Sequence, residues 1–193
     1  RSHRAVGVPG TVAGFDKAHR LYGSSDWIDL VEPAVELASD GFVLSEALAG
    51  SMARFVSGRA SQYEATVAAF TNNGASYVAG DTWRQPDLGR TLERIRDDRS
   101  DGFYRGTTAR LIAAEMRRGN GLITEEDLYR YEARERTPIT GMYRGYEVIS
   151  MPPPSSGGVA IVTALNILEE YDLSSMGHNS AQYLHHLAEA MRR

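Results

Sequence analysis

The stretch "MPPPSSGG", Met151 to Gly158, places three prolines, two serines and two glycines directly before an apolar helical pattern. Proline fixes φ and carries no N–H, so Pro152 to Pro154 give a stiff, extended approach to that helix. Gly157 and Gly158 allow a tight turn or a close backbone approach. Two readings follow. The free N–H groups of the helix start can receive a carboxylate or phosphate, or Ser155 or Ser156 caps the helix and the stretch is structural. No lysine lies in the run, so it is not a P-loop.

The other groups with reactive potential are scattered. His185 and His186 are adjacent on a helical pattern and therefore point about 100° apart, which prevents easy sharing of one metal ion. HExxH spacing is absent. They read as one surface and one half-buried histidine. His3 and His19 stand alone, and His178 lies in "GHNS" just before a helix start. None has a serine and an acid arranged with it along the chain, which leaves a triad assembled in space open. "GVPGTVAGF" lacks both GxGxxG spacing and a preceding strand, so its glycines read as close-packing positions of the first helix. Cysteine is absent, which excludes thiol catalysis, disulfides and cysteine-ligated metals in this chain.

Composition excludes further classes. With 42% hydrophobic and 24% charged residues over 193 positions and a net charge of -4, the chain resembles ordinary soluble globular sequences. Basic residues alternate with acids, as in "RTLERIRDDRSD", a solvated face and not a phosphate-neutralising stripe, so nucleic acid is not an expected partner. No membrane span is expected. Residues 1–193 read as a single unit without repeats or a linker. "RSHRAVGVPG" carries neither an initiator Met nor a signal-peptide core, and "LAEAMRR" stops inside a helical pattern, so the sequence reads as an internal fragment.

The elements that must position these groups are mainly helical. Val12, Phe15, Ala18 and Tyr22 share one face of a helix over Thr11 to Tyr22 that Gly23 ends. Asp26 caps "WIDLV" and Pro33 opens "PAVELASD", predicting two pieces with a break near Glu32 and a stop at Gly41. Ser45 caps "EALAGSMARFV". Residues 57–80 are read as loop, although "SQYEATVAAF" has helical character. Pro86 opens a helix with Leu88, Leu92 and Ile95 on one side. Thr108 to Arg117 follows, with Leu111, Ile112 and Met116 inward. Thr124 and Asp127 form a capping-box-like start for a short helix through Tyr131. The period then changes: "TPITGMYRGYEVISM" predicts a hairpin turning at Arg144-Gly145, the one sheet element expected. An apolar helix from about Val159 to Tyr171 and a last helix from Ala181, capped by Ser180, complete the chain. The fold class is mainly α with one β-hairpin.

"GVPGTVAGFDKAHRLYG", "GDTWRQPDLGRTLERI", "GLITEEDLYRYEARERTPITGMYRGYEVISMPPPSSGG" and "LNILEEYDL" together resemble, in order and spacing, the large subunit of the γ-glutamyltransferase family, whose members are also called γ-glutamyltranspeptidases or glutathione hydrolases. "FVSGRASQYEATVAAFTNNGASYVAG" is the part least like that family. The resemblance implies an N-terminal-nucleophile hydrolase with a four-layer αββα sandwich, of which this chain supplies mainly flanking helices. It implies a precursor that cleaves itself, and a small-subunit threonine that attacks the γ-glutamyl amide of glutathione. The acyl-enzyme is then resolved by water or by an amino acid or peptide acceptor. Partners implied are the small subunit of the same precursor and γ-glutamyl compounds, with no cofactor; the family also implies a periplasmic or extracellular setting.

The residues that carry the family's chemistry do not map onto this chain. The nucleophile motif lies beyond Arg193, and the arginine that grips the substrate's α-carboxylate lies before Arg1. Thr107-Thr108 is followed by Ala109 where the nucleophile motif has histidine. The family's oxyanion-hole glycines belong to the small subunit and are not transferred to Gly157 and Gly158. Catalytic, substrate-binding, cofactor-binding and metal residues are therefore each assigned as none, and "PPPSSGG" is given the structural role of fixing the strand-to-helix turn. Two alternatives remain: a relative resembling the cephalosporin (glutaryl) acylases, and a non-catalytic helical scaffold or binding module.

Overall fold

A computed structural model describes residues 3–58 and 60–193. Contacts divide the chain into two compact units, Arg1–Ala133 and Arg134–Arg193.

The first unit is helical. α1 (Thr11–Tyr22) buries Asp16 and half-buries Val12, Ala13 and His19, whereas Phe15 and Tyr22 are 67% and 83% exposed. Of the apolar face read from the sequence, Val12 packs against a buried cluster, whereas Phe15, Ala18 and Tyr22 point outward. The inward face is chosen by hydrogen bonding: Asp16 accepts from three side chains, and the Ala13 N–H donates to the Tyr104 hydroxyl at 3.3 Å. Of the early glycines, only Gly10 has the expected packing role, because a Cβ there would overlap the Tyr131 hydroxyl; Gly7 and Gly14 face open space.

α2 (Trp27–Ser39) runs unbroken through Pro33, contrary to the expected break. Proline removes one intrahelical bond, but α2 lies along α5 (Pro86–Asp98) and is fastened to it. The Trp27 indole N–H donates to Ile95 O at 2.9 Å, and Arg96 Nη1 donates to Glu32 Oε2 at 2.7 Å. Docking of the whole helix outweighs one lost bond. The expected caps are present, with Ile28 N–H donating to Asp26 Oδ1 and Leu48 N–H to Ser45 Oγ. On α5, Ile95 is buried but Leu88 is 43% exposed, so the expected Leu88–Leu92–Ile95 side is only partly inward.

β1 (Phe42–Val43) pairs antiparallel with β2 (Thr82–Trp83). This sheet adds to the single hairpin expected. Two-residue strands far apart in sequence leave no alternation to detect. The pair frames a cluster in which Leu44, Ala49 and Met52 are buried beneath Phe42, Phe70, Tyr77 and Trp83. α3 (Glu46–Ser57) supplies Ala49 and Met52. α4 (Glu64–Phe70) is a helix inside the segment read as loop, of which residue 59 lies outside the described residues. Tertiary anchors stabilise it: the Trp83 indole N–H donates to Ala69 O at 3.0 Å, and Phe70 meets the rings of Phe55 and Trp83.

α6 (Asp101–Tyr104), α7 (Gly106–Arg118) and α8 (Glu125–Tyr129) enclose a second cluster of Tyr104, Ala109, Met116, Ile123 and Leu128. On α7 the inward face is Ala109, Ala113 and Met116, and Leu111 is 59% exposed, which corrects its expected inward place. Small residues at i and i+4 permit the close approach that a leucine would prevent. α8 starts with the full capping box of Thr124 and Asp127 and ends at Tyr129.

The second unit is a hairpin with two helices. β3 (Ile139–Tyr143) and β4 (Tyr146–Ser150) pair in register from Ile139↔Ser150 to Tyr143↔Tyr146. Arg144 and Gly145 both have positive φ, 50° and 83°, as a type I′ turn requires. Arginine in that region is held by its surroundings: its N–H donates to Glu169 Oε1 at 2.9 Å, and its guanidinium donates to Tyr171 O. α9 (Gly157–Glu169) packs on the hairpin, and α10 (Ala181–Arg192) packs on α9, with Tyr183 N–H donating to the Ser180 cap at 3.1 Å.

Candidate functional site

The turn from β4 into α9 is the candidate site, because the Pro-Pro-Pro-Ser-Ser-Gly-Gly run, residues 152–158, lies there. Pro152, Pro153, Pro154 and Ser155 edge two open grooves of the second unit. One, of about 710 Å³, is walled by Pro138, Ile149 and Met151 with Arg134 and Arg136 at its side. The other, of about 560 Å³, runs along Val159, Thr163 and Met191. Pro153 to Ser155 belong to both and form the ridge between them.

Neither serine caps the helix as expected. Ser156 occupies the N-cap position in an α-like conformation, φ -80° and ψ -16°, and makes no side-chain cap. An N-cap residue needs extended dihedrals to turn its hydroxyl back onto the next turn. Ser155 Oγ lies 3.4 Å from the Gly157 nitrogen, beyond the usual range of such a bond. Glycine content, not capping, sets the geometry. Gly158 is buried, and a Cβ on it would overlap the Met151 carbonyl oxygen and press on Ser150, so the first turn of α9 sits directly on the end of β4. Gly141 does the same further along, where a Cβ would come 2.7 Å from Val162 Cγ1.

The histidines do not converge on this turn as a reactive set. His3 Nε2 meets Glu115 Oε1 at 2.7 Å, and His178 lies beside Tyr183. His185 is exposed, and His186 is half-buried with its ring 4.2 Å from Tyr171, as the sequence indicated. Among the described residues no histidine is hydrogen-bonded to a serine or threonine hydroxyl, and no group of three His, Asp or Glu side chains is placed to hold a metal ion. Thr108 is buried, donating to Gly102 O at 2.8 Å and accepting from Arg94 at 3.0 Å, the contacts of a structural hydroxyl.

Sequence reasoning missed a charged cluster in the first unit. Asp16 is 4% exposed and accepts from Ser100 Oγ at 2.6 Å, Arg99 Nε at 2.7 Å and Arg20 Nε at 3.0 Å. Burial pushes its carboxyl up, but the hydrogen bonds from Ser100, Arg99 and Arg20 together bring it down to about 2. His19, read as solitary, belongs to the same cluster. Its Nε2 donates to Ser25 O at 2.8 Å, which fixes the tautomer and leaves Nδ1 to accept from Arg99 at 2.8 Å. Arg99 also stacks over Trp27. Only the Asp16–Arg20 spacing of four was visible in the sequence. Glu115 is likewise held low, to about 2, by the hydrogen bonds from Arg118 and His3.

With this geometry in place, comparison with known proteins supplies what the local chemistry does not. The family model described as "Gamma-glutamyltranspeptidase" matches residues 1–193. The chain belongs to the γ-glutamyltranspeptidase family. It is 48% identical over 189 residues to the glutathione hydrolase proenzyme of Escherichia coli, covering 98% of this chain and 33% of that protein. It is 36% identical to the acylase ACY 1 proenzyme of a Pseudomonas species, covering 98% of this chain and 34% of that protein. The crystal structure of Helicobacter pylori γ-glutamyltranspeptidase superposes with a TM-score of 0.93 at 40% identity, over 98% of this chain and 54% of that one. The chain thus spans about a third of the length of the curated relatives it matches.

Proposed function

We propose that this chain is the helical large-subunit part of a γ-glutamyltransferase, residues 1–193 acting as one unit of a longer precursor. The complete protein hydrolyses glutathione and transfers its γ-glutamyl group to water or to an amino acid or peptide acceptor. A threonine outside this chain attacks the γ-glutamyl carbonyl, and the leaving amine departs with a proton. The acyl-enzyme is then resolved by the acceptor, with the threonine's own amine as base. The single observation that carries this reading is the family match along the whole chain together with 48% identity to a glutathione hydrolase proenzyme. The αββα sandwich belongs to the same reading. α9 packs on one face of the hairpin and α10 packs on α9, while Thr140, Met142, Glu147 and Ile149 on the other face of the hairpin are exposed, which leaves that face open to a second strand layer.

Within that function this chain's role is support. The β4–α9 connection, held close by Gly158, fixes the strand-to-helix turn beneath the site, and no residue of 1–193 is assigned a catalytic or substrate-binding role. The test is to assay the full-length precursor on a γ-glutamyl anilide and on a glutaryl-cephalosporin, beside the 193-residue chain alone. We expect turnover of the anilide by the precursor and none by the chain. A second reading, an acylase relative of the same family, is favoured by the identity to the acylase ACY 1 proenzyme, and preference for the glutaryl-cephalosporin over the anilide would support its cephalosporin (glutaryl) form. A full-length protein that neither cleaves itself nor turns over either substrate would point to a non-catalytic scaffold.

A further inference from the structure

Two Asn-Gly steps occur in the sequence, Asn73-Gly74 and Asn120-Gly121, and both asparagines have left-handed φ, 51° and 53°. An Asn-Gly step is the one in which the following backbone nitrogen most easily reaches the side-chain carbonyl carbon, because glycine puts no side chain in the way. Closure of that five-membered ring requires the nitrogen to leave its hydrogen bond and rotate. The two steps differ in what holds that nitrogen.

Asn73-Gly74 forms the two-residue turn of an isolated bridge, Asn72↔Ala75, whose bonds are 2.8 and 3.0 Å. Residues 72–75 are exposed, and nothing lies within 4 Å of the position a Gly74 Cβ would take. The Gly74 N–H donates only to Thr71 Oγ1, at 3.2 Å. Such a short hairpin is marginal by itself and opens locally at small cost. Asn120-Gly121 instead terminates α7. The Gly121 N–H donates to Met116 O at 2.6 Å, in the pattern that closes a helix C-terminus. Met116 is part of the buried cluster, and its Sδ and the His3 backbone pack against Gly121. Freeing that nitrogen means unwinding the last turn of α7 together with its packing.

We propose that Asn73 is a site of spontaneous covalent modification, converting through a succinimide to aspartate and isoaspartate, and that the fold shields Asn120 from the same reaction. The Gly74 nitrogen attacks Asn73 Cγ and gives up its proton, and the side-chain amide nitrogen leaves as ammonia. Water then adds to one of the two imide carbonyls, opening the ring to aspartate or isoaspartate. The net change is amide plus water to carboxylate plus ammonium, with no redox step. The product carries a new negative charge, and the isoaspartate form inserts an extra methylene into the main chain of the turn, which breaks the Asn72–Ala75 bridge.

The test is to incubate the full-length folded protein in mildly alkaline buffer, with a parallel sample in denaturant, and to quantify isoaspartate at Asn73 and Asn120 by peptide mapping. We expect Asn73 product to outrun Asn120 product by about tenfold or more in the folded chain, the ratio that about 1.4 kcal/mol of additional opening free energy gives. In denaturant the two rates should converge. Equal rates in the folded chain, or a ratio that denaturant leaves unchanged, would overturn the proposal. So would a folded chain in which Asn73 stays intact while the denatured sample reacts.

Discussion

Asp16 shows how one buried carboxylate can organise residues more than eighty positions apart. Its partners Arg99 and Ser100 come from the link between α5 and α6, Arg20 from its own helix, and through Arg99 the cluster extends to His19 and Trp27. Removing one partner of a buried pair leaves the others desolvated and unpaired, which costs about 3 kcal/mol at the low end of measured cases. The low end applies because Arg20 is 61% exposed and finds water instead. We therefore expect Asp16→Ala to destabilise the chain by about 3 kcal/mol in urea denaturation, with Asp16→Asn intermediate. The same carboxylate sets an acid limit. Its folded value of about 2 lies below the ordinary 3.8, so between these the unfolded chain binds more protons and stability falls with falling pH. Glu115, also about 2 against 4.5, acts in the same direction, though screened by its exposure. Stability should be flat above about pH 5 and decline from there toward pH 2, and Asp16→Asn should flatten part of that decline. None of this was legible in the sequence beyond the Asp16–Arg20 spacing, because the decisive partners are remote along the chain.

Elements were legible where their signals are local, and obscure where tertiary packing overrides them. The caps at Asp26, Ser45, Thr124 and Ser180, and the turn at Arg144-Gly145, are written in a few consecutive residues and stand as expected. The unbroken α2, the α4 helix and the β1–β2 pair depend on the Trp27 indole reaching Ile95 O, the Trp83 indole reaching Ala69 O and Phe42 pairing with Trp83, all remote along the chain. At the candidate site the sequence correctly marked the Ser-Ser-Gly-Gly turn, but hydroxyl capping was the wrong reason for it. The two glycines separate the causes. Gly158→Ala forces a methyl into the Met151 carbonyl and should cost about 1–3 kcal/mol by pushing α9 away from the hairpin. Gly157→Ala meets only Ser155 Oγ at 3.7 Å, ordinary contact, and should leave stability within about 0.5 kcal/mol of the parent. Paired denaturation curves check this, and a Gly157→Ala loss as large as that of Gly158→Ala would show that backbone freedom, not close approach, matters at the turn.

At the scale of the molecule, the two units differ in how much they bury. The first has two apolar clusters, built on Leu44 and on Leu128. Among the described residues of 134–193, the buried apolar side chains are Leu168 and Ala190. Burying one large apolar side chain contributes roughly 1.5–3 kcal/mol, and ordering each residue's backbone costs about 1–2 kcal/mol. A hairpin and two helices with so thin a core are therefore marginal by themselves. Their remaining apolar surface is considerable: Met142, Ile149 and Met151 on and beside the hairpin, and Val159, Ile161 and Met191 on the helices, are 46–71% exposed. Exposed apolar faces of this kind tend to acquire partners. The relatives, of which this chain spans about a third, have the additional length to provide one within the same protein. We accordingly expect the 193-residue chain alone to self-associate or to melt at low temperature with weak cooperativity, and the full precursor to melt higher. Proteolysis should distinguish the units: cleavage of the free chain should begin within 134–193 before the clusters around Leu44 and Leu128 open, since protection follows local stability. A monodisperse monomer in sedimentation, with a cooperative melt matching the precursor, would mean instead that hairpin packing against α9 and α10 suffices, and that the exposed faces are surface and not interface.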